Sequence, residues 1–159
     1  MIKINIFVLD TDIKKAAQFH CDKHVVKMIL EYAQLLSSVH HMLGNPAGYA
    51  LTHKNHPCAI WARASMDNYE WLFNLAIETG DEYTYRYGKT HKSIGVIESL
   101  PIPELDHTGL TEHPKCMPEP MKNIPSVVDA YRAYYCTSKA DFCTWKKRDT
   151  PEWFRKYEG

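Results

Sequence analysis

Residues 22–43, DKHVVKMILEYAQLLSSVHHML, decide the fold. Val25, Ile29, Tyr32, Leu36, Val39 and Leu43 recur every three or four positions, so on a helix they form one apolar stripe that must be covered. Asp22 can cap the start, and Gly44, Asn45 and Pro46 end the run. Upstream, Ile2, Ile4 and Ile6 alternate with polar neighbours before an apolar run, which predicts one short strand ending at Asp10. Asp10 or Asp12 then caps a short helix through Phe19.

Downstream, Pro57 sits where a first helical turn tolerates proline, and Trp61, Tyr69, Leu72 and Ala76 continue at helical spacing. A third helical region is expected from there to about Tyr87, with a bend at Ser65 or Gly80, and then a brief helix from a Thr90 cap to Leu100. Residues 101–125 hold six of the nine prolines and show no period, so they predict a long loop over the surface. Ser126 followed by Asp129 resembles a capping box for a helix through Tyr135, and residues 139–145 predict one more. The expectation is a mainly α fold, a single compact helical domain over residues 1–159. It has one short N-terminal strand, a long Pro-rich loop and an aromatic, basic helical segment at 126–159.

Lys and Arg number 19, as do Asp and Glu, so attraction to nucleic acid must come from local clustering, and a histone-like binder is excluded. Five cysteines with no CxxC pair fit neither a disulfide framework nor a paired-thiolate zinc knuckle and predict a reducing, cytoplasmic setting. The opening residues predict no signal peptide, and nowhere do eighteen apolar residues run together, so no membrane partner is expected.

On the long helix His24, Lys27, Glu31, Gln34, Ser38 and His41 share one face. Such a face is either solvated, with Lys27 and Glu31 as an ordinary i,i+4 pair, or the floor of a cleft. In a cleft, an acid, an amine and imidazoles shift one another's pKa and divide acid and base roles. Asp22 and Lys23 join them at the helix start, where free backbone N–H groups suit an anion. His20 and His24, four apart, raise a metal reading, but there is no HExxH and the helix is expected to break at Asp22. No metal or other cofactor is therefore expected, and Cys21 is read as a small core residue.

Arg86, Lys89, His91 and Lys92 surround a glycine turn. Further on, Lys139, Lys146, Lys147, Arg148, Arg155 and Lys156 interleave with Phe142, Trp145, Trp153 and Phe154. Cations neutralise phosphates while aromatic faces stack on unpaired bases. The competing reading makes the aromatics core anchors and the cations solubilising, with Asp141, Asp149 and Glu152 diluting the charge.

The opening MIKIN, the charged helix start, the NHP at 55–57, the RYG at 86–88 and the aromatic, basic C-terminus resemble, in this order and over most of the chain, the pyrimidine-dimer DNA glycosylase family of the phage endonuclease V type. The C-terminal pattern AYRxYY…K…F…WK…PEWF is also similar to that of a group of uncharacterised phage proteins. The resemblance implies an all-helical fold that binds DNA and flips a base out. It further implies an amine that attacks C1′ of the deoxyribose to form a Schiff base, and a glutamate that assists cleavage. The family's amine belongs to the residue after a removed methionine, whereas the bulky Ile2 would keep Met1 in place. The family's glutamate falls where this chain has Asp22, Lys23 and His24, with Glu31 about two turns further on. The resemblance therefore leaves Lys23, Lys27 or the Met1 α-amine as nucleophile, and Glu31 or Asp22 for the proton.

The expected reaction centre is Asp22, Lys23, His24, Lys27 and Glu31. Expected nucleic-acid contacts are His56, Arg86, Lys89, His91, Arg132, Lys139, Trp145 and Lys146. The expected function is that of a DNA glycosylase or lyase acting at a base or abasic site. The alternatives are a non-catalytic nucleotide or nucleic-acid binder and, third, a metal-dependent hydrolase on His20 and His24.

Overall fold

Six α-helices follow one another in the computed structural model, which describes residues 4–155. They are α1 (Ile13–Phe19), α2 (Asp22–Met42), α3 (Pro57–Ala62), α4 (Met66–Tyr87), α5 (Lys92–Ser99) and α6 (Val127–Thr137). Short 3₁₀ turns lie at Met121–Asn123 and Ala140–Phe142. Helix α2 is the hub, packed by α3, α4 and α5, while α1 lies on α4. Its stripe of Val25, Ile29, Tyr32, Leu36 and Val39 is wholly buried, and Leu43 falls at the partly exposed C-cap. Cys21, not Asp22, is the N-cap, because the Asp22 carboxylate is engaged elsewhere.

The expected helical region after Pro57 is two helices, since Ser65 accepts a hydrogen bond from the Asn68 N–H and restarts the chain as α4. Gly80 lies within the continuous α4, and a Cβ there would collide with Ile94, so the glycine lets α5 seat closely against it. Gly88, at φ +73°, ends α4 in the left-handed conformation that glycine adopts without strain. The cap of α5 is His91, not Thr90, and residues 139–145 form only the single turn Ala140–Phe142.

The expected N-terminal strand is absent among the described residues. Alternation should leave one face of a strand outside, yet Ile4, Asn5, Ile6, Phe7, Val8 and Leu9 are all buried, and no second strand offers a ladder. Side chains satisfy the backbone instead. The Ile6 N–H donates to Asn5 Oδ1 at 2.8 Å, the Phe7 N–H to the Tyr32 hydroxyl at 3.2 Å, and Arg132 Nε to the Leu9 carbonyl at 2.8 Å.

Tyr32 passes this bonding inward. Its hydroxyl is 2.8 Å from His20 Nε2, and His20 Nδ1 is 2.7 Å from the Ala16 carbonyl. A carbonyl only accepts, so Nδ1 carries the proton and Nε2 receives the Tyr32 O–H. Burial holds the His20 pKa down at about 3, keeping the ring neutral.

The Pro-rich loop is pinned over the start of α4. Ser65 Oγ donates to the Gly109 carbonyl at 3.1 Å, Trp61 Nε1 to the Thr111 carbonyl at 3.1 Å, and Asn68 exchanges two bonds with Thr111. No helix among the described residues is long and apolar enough to cross a membrane.

Candidate functional site

A polar pocket of about 160 Å³ opens where the N-terminal segment, α2 and the end of α6 meet. The helical spacing of α2 delivers His24, Lys27, Met28 and Glu31 to one side, the buried N-terminal segment delivers Asn5 and Phe7, and Tyr134 and Lys139 close the other side. The first half of the ridge legible in α2, His24, Lys27 and Glu31, thus faces a concavity beside a cation from more than a hundred residues later, while Ser38 and His41 bond to the loop that follows α2.

Glu31 is the unusual group. It is 3% exposed, and neither carboxylate oxygen has a hydrogen-bond partner of normal geometry among the described residues. The closest cation is Lys27, whose Nζ stands 3.8 Å away, and the Lys27 side chain is half exposed. Burial pushes the Glu31 pKa up to about 7, against the opposing pull of Lys27, the Asn5 backbone N–H and Lys139. Near neutrality this carboxyl is poised between its two forms, as a proton-transfer group requires.

The surroundings are aromatic and cationic. Phe7 stacks on the His24 ring with centroids 4.2 Å apart, and His24 Nδ1 lies 2.6 Å from the Tyr135 hydroxyl, which also accepts the Cys21 N–H. Lys139 Nζ sits 5.0 Å over the Tyr134 ring and 5.9 Å from Phe142, whose ring carries Lys23 Nζ at 4.4 Å. Lys27 and Lys139 thus line the pocket, whereas Lys23 is not part of its lining and lies on the Phe142 ring beside Lys139.

Asp22 is not in this pocket. Its carboxylate accepts from Arg86 Nη1 at 3.0 Å, Thr144 Oγ1 at 2.7 Å and the Lys146 N–H, so it is a junction between α2, α4 and the C-terminal segment. Arg86 is buried at that junction, donating also to Glu82 at 2.7 Å and to the Gln18 carbonyl at 2.8 Å. Arg148 grips the same Glu82 at 2.9 and 3.0 Å.

Other expected contact residues likewise have structural partners. Arg132 holds Leu9 and Asp10, and the buried Trp145 donates from Nε1 to the Phe19 carbonyl at 2.9 Å. His56 and His91 cap α3 and α5 through Nδ1, and the His91 Nε2–H reaches the Val26 carbonyl at 3.0 Å. Lys89 and Lys146 stay exposed, the latter with Nζ 5.1 Å over Tyr87. Of the expected contacts, Lys139 alone lines the pocket. Both His20 nitrogens are engaged and Cys21 is fully buried, so neither reaches a ligand there. The Met1 amine, Ile2 and Lys156 lie outside the described residues.

Sequence reading missed Asn5, Phe7 and Tyr134 as pocket walls. No local spacing signals them, because they meet α2 only through the tertiary fold. Comparison with protein-family models, with curated proteins and with solved structures gives no match for this chain.

Proposed function

We propose that the protein is a DNA-processing enzyme of the glycosylase/lyase type, acting at a base or abasic site with Lys27 as the amine and Glu31 as the proton-transfer group. One observation carries this reading: a buried carboxyl with no hydrogen bond of normal geometry among the described residues, 3.8 Å from an amine, in a pocket walled by aromatic rings and a further lysine. The pocket, about 160 Å³, is smaller than the ~300–1,000 Å³ of sites that enclose a whole small ligand, which suits one residue of a polymer turned out of its stack. Lysines near the opening suit the flanking phosphates.

At an abasic sugar in its open-chain form, the neutral Lys27 amine, its proton passed to Glu31, adds to the C1′ aldehyde. The carbinolamine loses its oxygen as water, taking a proton from Glu31, and leaves a protonated imine. The Glu31 carboxylate then removes a C2′ proton, the C3′–O bond breaks, and the 3′ phosphate departs. Water hydrolyses the conjugated imine and frees Lys27. With a base still attached, the same attack at C1′ expels the base.

Borohydride reduction during incubation with a duplex carrying one abasic site is the direct test. A covalent protein–DNA adduct, lost in Lys27→Ala and kept in Lys89→Ala, is the expected result; Glu31→Gln should form adduct slowly and cleave the strand poorly. Intact DNA binding with no adduct overturns the enzymatic reading. That outcome leaves a non-catalytic nucleotide binder, which the stacked Phe7 and His24 rings and the lysines near the opening would serve without any reaction.

A further inference from the structure

Against the N-terminal segment, where Asn5 Nδ2 donates to the Cys116 carbonyl, two cysteines and a histidine come together from two distant parts of the sequence. His56 and Cys58 flank Pro57 at the head of α3, and Cys116 comes from the Pro-rich loop. One ligand-competent atom of each lies within 4.8 Å of those of the other two, and the two sulfurs are 3.7 Å apart. Two thiolates bound at ~2.3 Å by one tetrahedral ion stand about 3.8 Å from each other, so the sulfur spacing already suits a shared ion.

We infer that His56, Cys58 and Cys116 form a thiolate–imidazole metal site for a zinc-like divalent cation, which staples the Pro-rich loop to α3. The donors are soft and borderline, a set that takes zinc or cobalt and not magnesium or calcium. Cys58 is buried while His56 and Cys116 are partly exposed, so the fourth position opens toward solvent and water completes the tetrahedron. The Cys116 backbone is fixed from both sides: its N–H donates to the Tyr131 hydroxyl at 3.2 Å and its carbonyl accepts from Asn5 Nδ2 at 2.9 Å. That carbonyl bond links the site to the pocket, because Asn5 also lines the latter.

Loading exchanges one bond for another. His56 Nδ1 now accepts the Cys58 N–H at 3.0 Å. If Nδ1 takes the metal, its lone pair is used; if Nε2 does, the proton moves to Nδ1, which then cannot accept. Either way the α3 cap is released, and each thiol gives up its proton to solvent as the ion binds.

Cobalt titration of protein made without a histidine tag, reduced and then freed of metal by a chelator, tests the site. One cobalt per chain with a thiolate-to-cobalt charge-transfer band, displaced by one equivalent of zinc, is expected. The band should vanish in Cys116→Ser, weaken in His56→Asn, which keeps a capping acceptor, and persist in Cys136→Ser. Zinc should raise the melting temperature of the parent protein and not of Cys116→Ser. No band, or a band that survives both ligand substitutions, overturns the inference. So does a thiol count showing Cys58 and Cys116 cross-linked to each other in the protein as isolated. Should Cys116→Ser fail to fold, His56→Asn alone decides. None of these readouts depends on DNA chemistry, so the site stands or falls separately from the proposed function.

Discussion

Helix α2 carries two acidic groups a little over two turns apart, and the fold treats them oppositely. Asp22 accepts from three donors, the Lys146 N–H spanning both its oxygens, and shares Arg86 with Glu82, which Arg148 also holds. Glu31 is more deeply buried than Asp22, and its one ion-pair partner among the described residues is a lysine at 3.8 Å. A fully bonded buried ion network specifies structure, and taking one member away leaves an uncompensated charge. A buried carboxyl left without partners weakens the fold in its charged form, and such groups concentrate where chemistry is done. Asp22, at the start of α2, ties three parts of the fold together; Glu31, at the middle of the helix, lines a pocket instead.

Removing Arg86 should break the comparison most severely. Arg86→Ala leaves Asp22 and Glu82 short of their cation inside the protein, and a loss of about 3–5 kcal/mol in urea unfolding is expected. The opposite sign is expected at Glu31. Its carboxyl titrates at about 7 in the folded chain against the usual 4.5, so protonation supports folding; that support is complete below pH 4.5 and gone once the pH has risen past 7. Glu31→Gln should therefore stabilise the protein at pH 8 by up to about 3 kcal/mol and leave it unchanged at pH 4, as thermal melts at both values would show. Equal effects at both would mean that Glu31 is not the poised group.

Smaller substitutions sharpen the contrast. Thr144→Val deletes the hydroxyl that donates to Asp22 at 2.7 Å and should cost about 1 kcal/mol. Lys27→Met removes a half-exposed partner of Glu31, and its stability should change by less than about 1 kcal/mol while trapping on abasic DNA is abolished. A loss of several kcal/mol at Lys27 would place it with the structural network instead.

The sequence announced α2 because an apolar residue every three or four positions admits one geometry, and the same ridge pointed to His24, Lys27 and Glu31. It misled at residues 4–9, where alternation mimics a strand. The alternation cannot reveal that Tyr32 and Arg132 will satisfy the backbone in place of a neighbouring strand. Arg86 in its RYG setting reads as a surface cation because burial of its two acidic partners is a property of helix packing alone. Lys139 stands among aromatics in the sequence and in the fold, yet its place beside Glu31 depends on where α6 ends. Cys58 and Cys116, separated by 58 positions, carry no spacing signal at all.

The return of the C-terminal segment to α2 has a consequence for biosynthesis. A polypeptide leaving the ribosome N-terminus first presents Asp22, Glu31 and Glu82 long before Thr144, Lys139 and Arg148 have been made to meet them. The pocket is therefore closed only once Tyr134 and Lys139 have been made, and a nascent or prematurely terminated product would carry Glu31 without the wall that encloses it.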